Sequence, residues 1–368
     1  VDPIAAVTHP DPYPYYADLV ARRPLHRDEA LGLWVAASAA AVQAVLTSEA
    51  CRVRPGAEPV PGALVGSPAG DIFGHLVRMN DGAAHMRLKP GVAARVASID
   101  PTRVLEHGAR WAQHLADELR PVARPERIVD FALRLPVYVV AGVLGVAPEA
   151  LPRAATWTGE FVACLAPGAT AEQVERGKAA AAQLVALVGA LLKREGLDAV
   201  VANTVGYLSQ AYEATAGLVG NTLLALAREA QVREEVRAEP QNLAWVVREV
   251  ARHDPPVQNT RRFLAEDAVV GGQAMKAGET VLLVLAAANR DPAVNPHPER
   301  FDPRRRERTI FTFGLGAHAC PGEAMATAIA QAGVARLLAA GLEPERLAAG
   351  ARYRPSVNTR IPLFAVRP

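Results

Sequence analysis

The most constraining stretch of this 368-residue sequence runs from Asp198 to Ala230, the longest helical pattern in the chain and apolar nearly all the way round. A helix of that kind has no face to give to water, so other elements must enclose it. The remaining sequence can supply them. Half of the residues are hydrophobic, enough for a large core.

Taken in order, the chain reads as mostly helical with short strand interruptions. Asp11 to Arg23 predicts a first helix, with Pro12 and Pro14 near its start where a missing N–H costs little. Leu25 to Ala37 reads as a hairpin, and Ser38 caps a helix reaching about Ser48. Arg52 to Asn80 is rich in Gly and Pro without periodicity and reads as a long loop. Helices follow from Asp81, from the Asp100-Pro101 cap to Leu119, and over Phe131–Leu144, Pro148–Leu165 and Ala171–Arg194. Beyond the central helix, Gln241–Arg252 is helical, strands run through Val270 and over Thr280–Leu285, and Pro292–Thr312 is irregular. Glu323–Ala340 is a final long helix, and Tyr353–Pro368 gives short strands around a turn at Val357-Asn-Thr359.

Chemistry concentrates just ahead of that final helix, in Phe313-Gly-Leu-Gly-Ala-His-Ala-Cys320-Pro-Gly322. A cysteine before a helix N-terminus faces the positive end of the macrodipole, which favours the thiolate and makes the sulfur a ligand or a nucleophile. Gly314, Gly316 and Gly322 allow a tight loop and the close approach of something flat and bulky. The spacing of Phe313, Gly316, Cys320 and Gly322 resembles the haem-binding loop of cytochromes P450, in the bacterial form with His318 two residues before the cysteine. The resemblance implies a mainly α fold with small β-sheets, the triangular α-rich prism of that family around a buried haem, as a single domain over residues 1–368. It implies haem b, with Cys320 as the iron's thiolate ligand and Phe313, Gly314, His318 and Gly322 around it.

Other landmarks of the family fall in the right order. His85 and Lys89 share one helix face where the family usually has His-x-x-x-Arg reaching a haem propionate. Lys89 departs from this pattern: it keeps the cation but not the planar fork. Arg262 aligns with a further propionate-binding arginine, with Arg261 as the near alternative. Glu249-Val-Ala-Arg252 matches the family's Glu-x-x-Arg, and with Arg300 it implies a buried ion cluster of structural role.

In the central helix, Gln210-Ala-Tyr-Glu-Ala-Thr215 stands where P450s carry small-small-x-acid-Thr. Glu213 matches the acid, but Ala214 occupies the place of the Thr, whose hydroxyl helps deliver protons. Thr215 is one position on, about 100° around the helix. Water, a substrate hydroxyl or Tyr212 would then deliver the protons. Gln210, Tyr212, Gln258, Asn259 and Asn358 are candidate pocket residues, and their polarity points to a polar or amino-acid-derived substrate.

The function implied is a haem-thiolate monooxygenase or oxidase that takes electrons from a ferredoxin and its reductase to oxidise a small natural-product-type molecule. Arg304, Arg305, Arg306 and Arg308 form a basic patch suited to an acidic ferredoxin. The alternatives are a peroxide- or nitric-oxide-using enzyme, or one catalysing an unusual coupling or rearrangement, motivated by Ala214, and, more remotely, a non-catalytic haem sensor. A net charge of +2 argues against nucleic acid. Cys51, Cys164 and Cys320 lie far apart, which suggests neither disulfides nor zinc and fits a reducing cytoplasm. No apolar run approaches a membrane span.

Overall fold

Side-chain oxygens start many of the helices. Ser38 accepts from the Ala41 N–H, Ser67 from Gly70, Asp100 from Thr102 and Asp198 from Val200 and Val201, while Thr170 and Gln173 cap each other reciprocally. The computed structural model describes residues 2–347 and 352–365. In chain order its helices are α1 (Tyr13–Arg22), α2 (Ala39–Thr47), α3 (Pro68–His75), α4 (Gly82–Ala97), α5 (Pro101–Leu119), α6 (Ile128–Leu144) and α7 (Leu151–Cys164). Then come α8 (Ala171–Leu192), α9 (Ala199–Arg228), α10 (Ala230–Ala238), α11 (Leu243–His253), α12 (Leu285–Ala288) and α13 (Glu323–Ala339).

Three elements depart from the sequence reading. Within the stretch expected to be loop, Ser67 and Pro68 nucleate the short α3. The central helix ends at Arg228, and the polar α10 follows after Glu229. Strand geometry stops at Leu283, after which Leu285–Ala288 turns helical. The last three residues of the expected C-terminal strands lie outside the described residues.

The strands are β1 (Leu25–Asp28), β2 (Leu33–Ala36), β3 (Cys51–Arg52), β4 (Thr260–Leu264), β5 (Ala268–Val270), β6 (Gln273–Met275), β7 (Thr280–Leu283), β8 (Arg352–Tyr353) and β9 (Pro362–Leu363). One sheet has the order β1-β2-β7-β4-β3. The Leu25–Ala36 hairpin forms its edge, β2 and β7 are parallel, and β4 runs antiparallel to β7 with Arg262 opposite Val281. β5–β6 and β8–β9 are separate two-stranded pieces. The architecture is mainly helical with small sheets.

Helix α9 packs against α3, α6, α7, α8, α11 and α13. It is buried from Val201 to Gly206 and again from Thr215 to Leu224, but Gln210 is exposed and Ala211 to Ala214 are only half-buried. The central helix is therefore enclosed at both ends and open in the middle. Among the described residues no helix is long and apolar enough to cross a membrane.

Candidate active site

The loop before α13 is closed by its own backbone. The Cys320 N–H donates to the Phe313 carbonyl at 2.7 Å, and Gly314 and Gly316 take φ of 71° and 66°, a region that glycine enters without strain. Buried Asn289 ties this loop to α11: its Oδ1 accepts from the Phe311 N–H at 2.6 Å and its Nδ2 donates to Thr312 Oγ1, which donates to the Ala251 carbonyl. Cys320 is exposed, and the Gly322 N–H points at its sulfur at 3.4 Å.

The expected preference for thiolate is not met by the protein alone. Desolvation in the recess pushes the Cys320 thiol up, and the Gly322 N–H and the Lys89 ammonium only partly oppose it. Cys320 lies three residues ahead of α13, so the helix end adds little. A cation at the sulfur is what would make it a thiolate.

Beside the loop, the residues expected to meet propionates gather. The His318 imidazole donates from Nε2 to Asp81 Oδ1 at 3.1 Å, and its ring lies 4.3 Å from that of His85 between centroids. Asp81 precedes α4 without capping it, because its Oδ2 instead accepts from the Val53 N–H at 2.9 Å. Burial pushes the Asp81 carboxyl up, yet these hydrogen bonds and the neighbouring His318 and Arg52 hold it below its ordinary range. Lys89 Nζ donates to the Ala319 carbonyl at 2.9 Å, tying α4 to the cysteine loop.

Two groups here are left without partners. His85 is buried with Nε2 unpaired among the described residues, and burial, then the His318 and Lys89 charges, holds its pKa below the ordinary value. Arg262 is 8% exposed, its one hydrogen bond runs from Nη1 to the Arg261 carbonyl, and no carboxylate pairs with it among the described residues. Burial lowers the Arg262 pKa and the nearby Asp81 carboxylate only partly opposes it. A buried guanidinium that lacks a direct ion-pair partner is costly. An orphaned imidazole nitrogen, an unpaired buried cation and an accessible thiol beside a glycine loop together fit a flat ring bearing two carboxylates and an iron, so the residues present suit the haem that the resemblance implies.

The opening in α9 answers a question about proton delivery. Ala214 lies in the half-open stretch, whereas Thr215 is 1% exposed with Oγ1 unpaired among the described residues, so its hydroxyl faces protein and not the opening. Tyr212 turns its hydroxyl against Gly159 of α7, so close that a Cβ there would lie 2.6 Å from it. Burial raises the Tyr212 pKa. Glu213 pairs with Arg354 through Oε1, and its Oε2 accepts from Thr359 Oγ1 at 3.3 Å.

Other expected residues serve the scaffold. Gln258 is fully buried between the Tyr16 hydroxyl and the Pro255 carbonyl, and Asn259 donates to the Val357 carbonyl, so neither offers its amide to a pocket. Asn358 is exposed. The ion cluster forms without the side chain of Arg300. Glu249 Oε1 accepts from Arg252 Nη2 at 2.5 Å and Oε2 from Arg308 Nε at 2.8 Å, while Arg300 is exposed and contributes only its carbonyl to Arg252. The meander coils so that Arg308, with Arg305 nearby, points inward. All four arginines of the expected basic patch still line one surface groove, with the Arg305 and Arg308 side chains largely buried beneath it. Arg304 and Arg306 stay exposed, and with Arg305, Arg308, Arg248 and Trp245 they border that groove of about 370 Å³.

Sequence reasoning missed Asp81, and it gave Arg308 to the basic patch and not to the ion cluster that it joins through Glu249. Asp81 carried the signature of a helix cap, and the failure to cap shows only in three dimensions.

Comparisons with known proteins follow the same lines. The model of the family described as "Cytochrome P450" matches residues 197–340. A "Biotin biosynthesis cytochrome P450" of Bacillus subtilis (strain 168) is 25% identical over 352 residues, covering 89% of this chain and 88% of its own. The "6-deoxyerythronolide B hydroxylase" of Saccharopolyspora erythraea is 29% identical over 351 residues, covering 86% and 85%. The crystal structure of CalO2 superposes with a TM-score of 0.80 at 28% identity, covering 99% of this chain and 97% of its own. P450BioI, in complex with an acyl carrier protein ligated with hexadec-9Z-enoic acid, shares the fold with a TM-score of 0.80 at 24% identity over 96% and 97%.

Proposed function

The chain belongs to the cytochrome P450 family as one of its monooxygenases, and from that premise we propose that it uses a Cys320-ligated haem and electrons from a ferredoxin-type partner to oxidise a small, polar natural-product-type molecule. The proposal treats residues 1–368 as one domain. Cys320 would hold the iron, and Arg262, His85, Lys89 and His318 would hold the two propionates, with Phe313, Gly314 and Gly322 shaping the loop. Bound there, the haem supplies the oxygen-activating chemistry that no side chain of this chain can perform. The protein's own part is to orient, to exclude water and to manage protons.

The observation that carries this reading is Arg262, a buried guanidinium with no direct ion pair among the described residues and only the nearby Asp81 charge to offset it, together with orphaned His85 and an accessible cysteine. Arg248, Arg304 and Arg306 around exposed Trp245 support docking of an acidic electron donor. Exposed Gln210, in the half-open stretch of α9, supports a substrate bearing polar groups.

The test is optical. Reduced protein under carbon monoxide should give the Soret shift of thiolate ligation, and Cys320→Ser should abolish it; the same spectrum from both would overturn the assignment. Ala214 supports a second reading, in which the enzyme takes peroxide or nitric oxide. Product formation with hydrogen peroxide at least equal to that with ferredoxin, its reductase and NAD(P)H would favour this reading.

A further inference from the structure

Monooxygenation consumes protons as well as electrons, and this chain has no hydroxyl at position 214 to pass them. Its acid, Glu213, is nevertheless tied to a chain of hydroxyls, and these come from the far C-terminal turn and not from α9. Ser356 Oγ accepts from the backbone N–H groups of Thr359 at 3.0 Å and Asn358 at 3.3 Å. Ser356 Oγ lies 2.8 Å from Thr359 Oγ1, and Thr359 Oγ1 lies 3.3 Å from Glu213 Oε2.

Distances and acceptor capacity favour one direction for this chain. The Thr359 N–H fills one acceptor site of the Ser356 hydroxyl and the longer Asn358 contact leaves the other open to water. The Ser356 proton can go to Thr359 Oγ1 at 2.8 Å or to Asn358 Oδ1 at 3.3 Å, of which the first is the shorter. An ionised carboxylate can only accept, so Thr359 donates to Glu213 and must accept from Ser356. Arg354 occupies Oε1 of the same carboxylate, which leaves Oε2 as the oxygen that takes a proton. Ser356 is half-buried and within reach of solvent, Thr359 is 6% exposed, and the Glu213 side chain, 23% exposed, stands in the half-open stretch of α9.

The turn is pinned where this requires. Asn259 Nδ2 holds the Val357 carbonyl at 2.9 Å, and the Gln258 N–H holds that of Asn358 at 2.9 Å. The following strand lies so close to α9 that a Cβ at Gly217 would come within 2.7 Å of the Arg360 carbonyl oxygen.

We propose that Ser356 and Thr359 form a proton relay that recharges Glu213 from solvent, in place of the hydroxyl absent at Ala214. The Thr359 hydroxyl proton passes to Glu213 Oε2, Thr359 regains one from Ser356, and Ser356 regains one from bulk water. The relay ends unchanged, with one solvent proton on Glu213. Thr359 and Ser356 are positioning residues that act through Glu213. The proposal rests on the haem-dependent reading above, in which the ferredoxin supplies the electrons and dioxygen accepts them.

The experiment needs no identified substrate. Haem-loaded protein is supplied with a plant-type ferredoxin, its reductase, NADPH and dioxygen, and hydrogen peroxide formed per dioxygen consumed is measured. Reduction to peroxide takes two electrons and two protons, whereas reduction to water takes four of each, so a starved relay releases more peroxide. Thr359→Val and Ser356→Ala should raise that ratio roughly threefold or more and change its solvent isotope effect, while Thr359→Ser stays near wild type. A second readout uses haem-free chain: the infrared carboxylate stretch removed by Glu213→Gln should move in Thr359→Val and not in Thr359→Ser. Equal ratios in wild type and Thr359→Val, or equal damage from Thr359→Ser and Thr359→Val, would overturn the relay. Loss of the thiolate-type carbon monoxide spectrum in wild type would instead overturn the reading of Cys320, and the infrared comparison would still decide whether Thr359 serves Glu213.

Discussion

Replacing Glu249 by Gln should be among the most damaging single changes in this protein, and the structure says how damaging. The carboxylate is fully buried and serves three guanidinium groups. Oε1 accepts from Arg252 at 2.5 Å and 3.1 Å and from the Asp302 N–H at 3.1 Å, Oε2 accepts from Arg308 at 2.8 Å, and Arg305 Nε stands 3.7 Å away. Glutamine fills the same volume but cancels the charge and turns an NH₂ towards a guanidinium. Stranding one buried charge costs about 3–5 kcal/mol, and here Arg252 is wholly buried while the Arg308 side chain is 9% exposed. We expect about 5 kcal/mol, a third or more of a typical total stability of about 5–15 kcal/mol.

The companion variants separate the cluster seen here from the one expected from sequence. Arg308→Ala leaves Glu249 paired with Arg252 and should cost about 1–3 kcal/mol. Arg300→Ala keeps the carbonyl that Arg252 uses and removes only an exposed side chain, so it should stay within about 0.5 kcal/mol. Urea unfolding followed by circular dichroism, at one fixed haem occupancy because bound ligand shifts the midpoint, measures all three. An Arg300→Ala cost equal to that of Arg308→Ala, or a Glu249→Gln cost below about 1 kcal/mol, would refute the reasoning.

Burial, then Arg290, pushes the pKa of His253 down to about 3, so the unfolded chain binds the extra proton below its ordinary value of about 6.5. Stability should therefore fall by up to about 1.4 kcal/mol per pH unit as pH drops from about 6.5 towards 3, and urea midpoints of His253→Gln should show a shallower slope. Arg262→Met should act in opposite directions: the haem-free chain becomes more stable because a buried unpaired cation is gone, while haem transfer to apomyoglobin speeds up about tenfold. Unchanged transfer would remove Arg262 from the propionate set. Gly159→Ala should cost about 1–3 kcal/mol through its clash with the Tyr212 hydroxyl, and Tyr212→Phe should relieve most of that cost in a double-mutant cycle.

What could be read from the sequence was what local physics decides. Ser38, Asp100 and Asp198 announced their helices because a cap bonds N–H groups two or three residues away. The cysteine loop was legible because glycine at fixed spacing reports backbone conformation directly. The losses lie where distant segments choose among equivalent partners. Five arginines fall between residues 300 and 308, and spacing alone cannot say which one turns towards Glu249. Gln258 and Asn259 look like pocket residues by polarity, but the carbonyls they satisfy belong to Pro255 and Val357, and the second of these is ninety-eight residues away. Helix proximity at Cys320 is visible in sequence, whereas the desolvation that pushes its thiol up is not.

The same distinction explains why the C-terminal turn bears on Glu213 at all. A hydroxyl in α9 would be held by the helix itself, insensitive to the rest of the chain. Hydroxyls at 356 and 359 reach Glu213 only because Gln258, Asn259 and the close passage at Gly217 hold the turn in register against α9. Proton supply is then coupled to tertiary packing. Loosening the turn with Asn259→Ala, which touches neither hydroxyl nor carboxylate, should raise peroxide release part of the way towards Thr359→Val, and adding Asn259→Ala to Thr359→Val should raise it no further. Additive effects would mean that Asn259 acts elsewhere, and that the turn is an anchor and not a conduit.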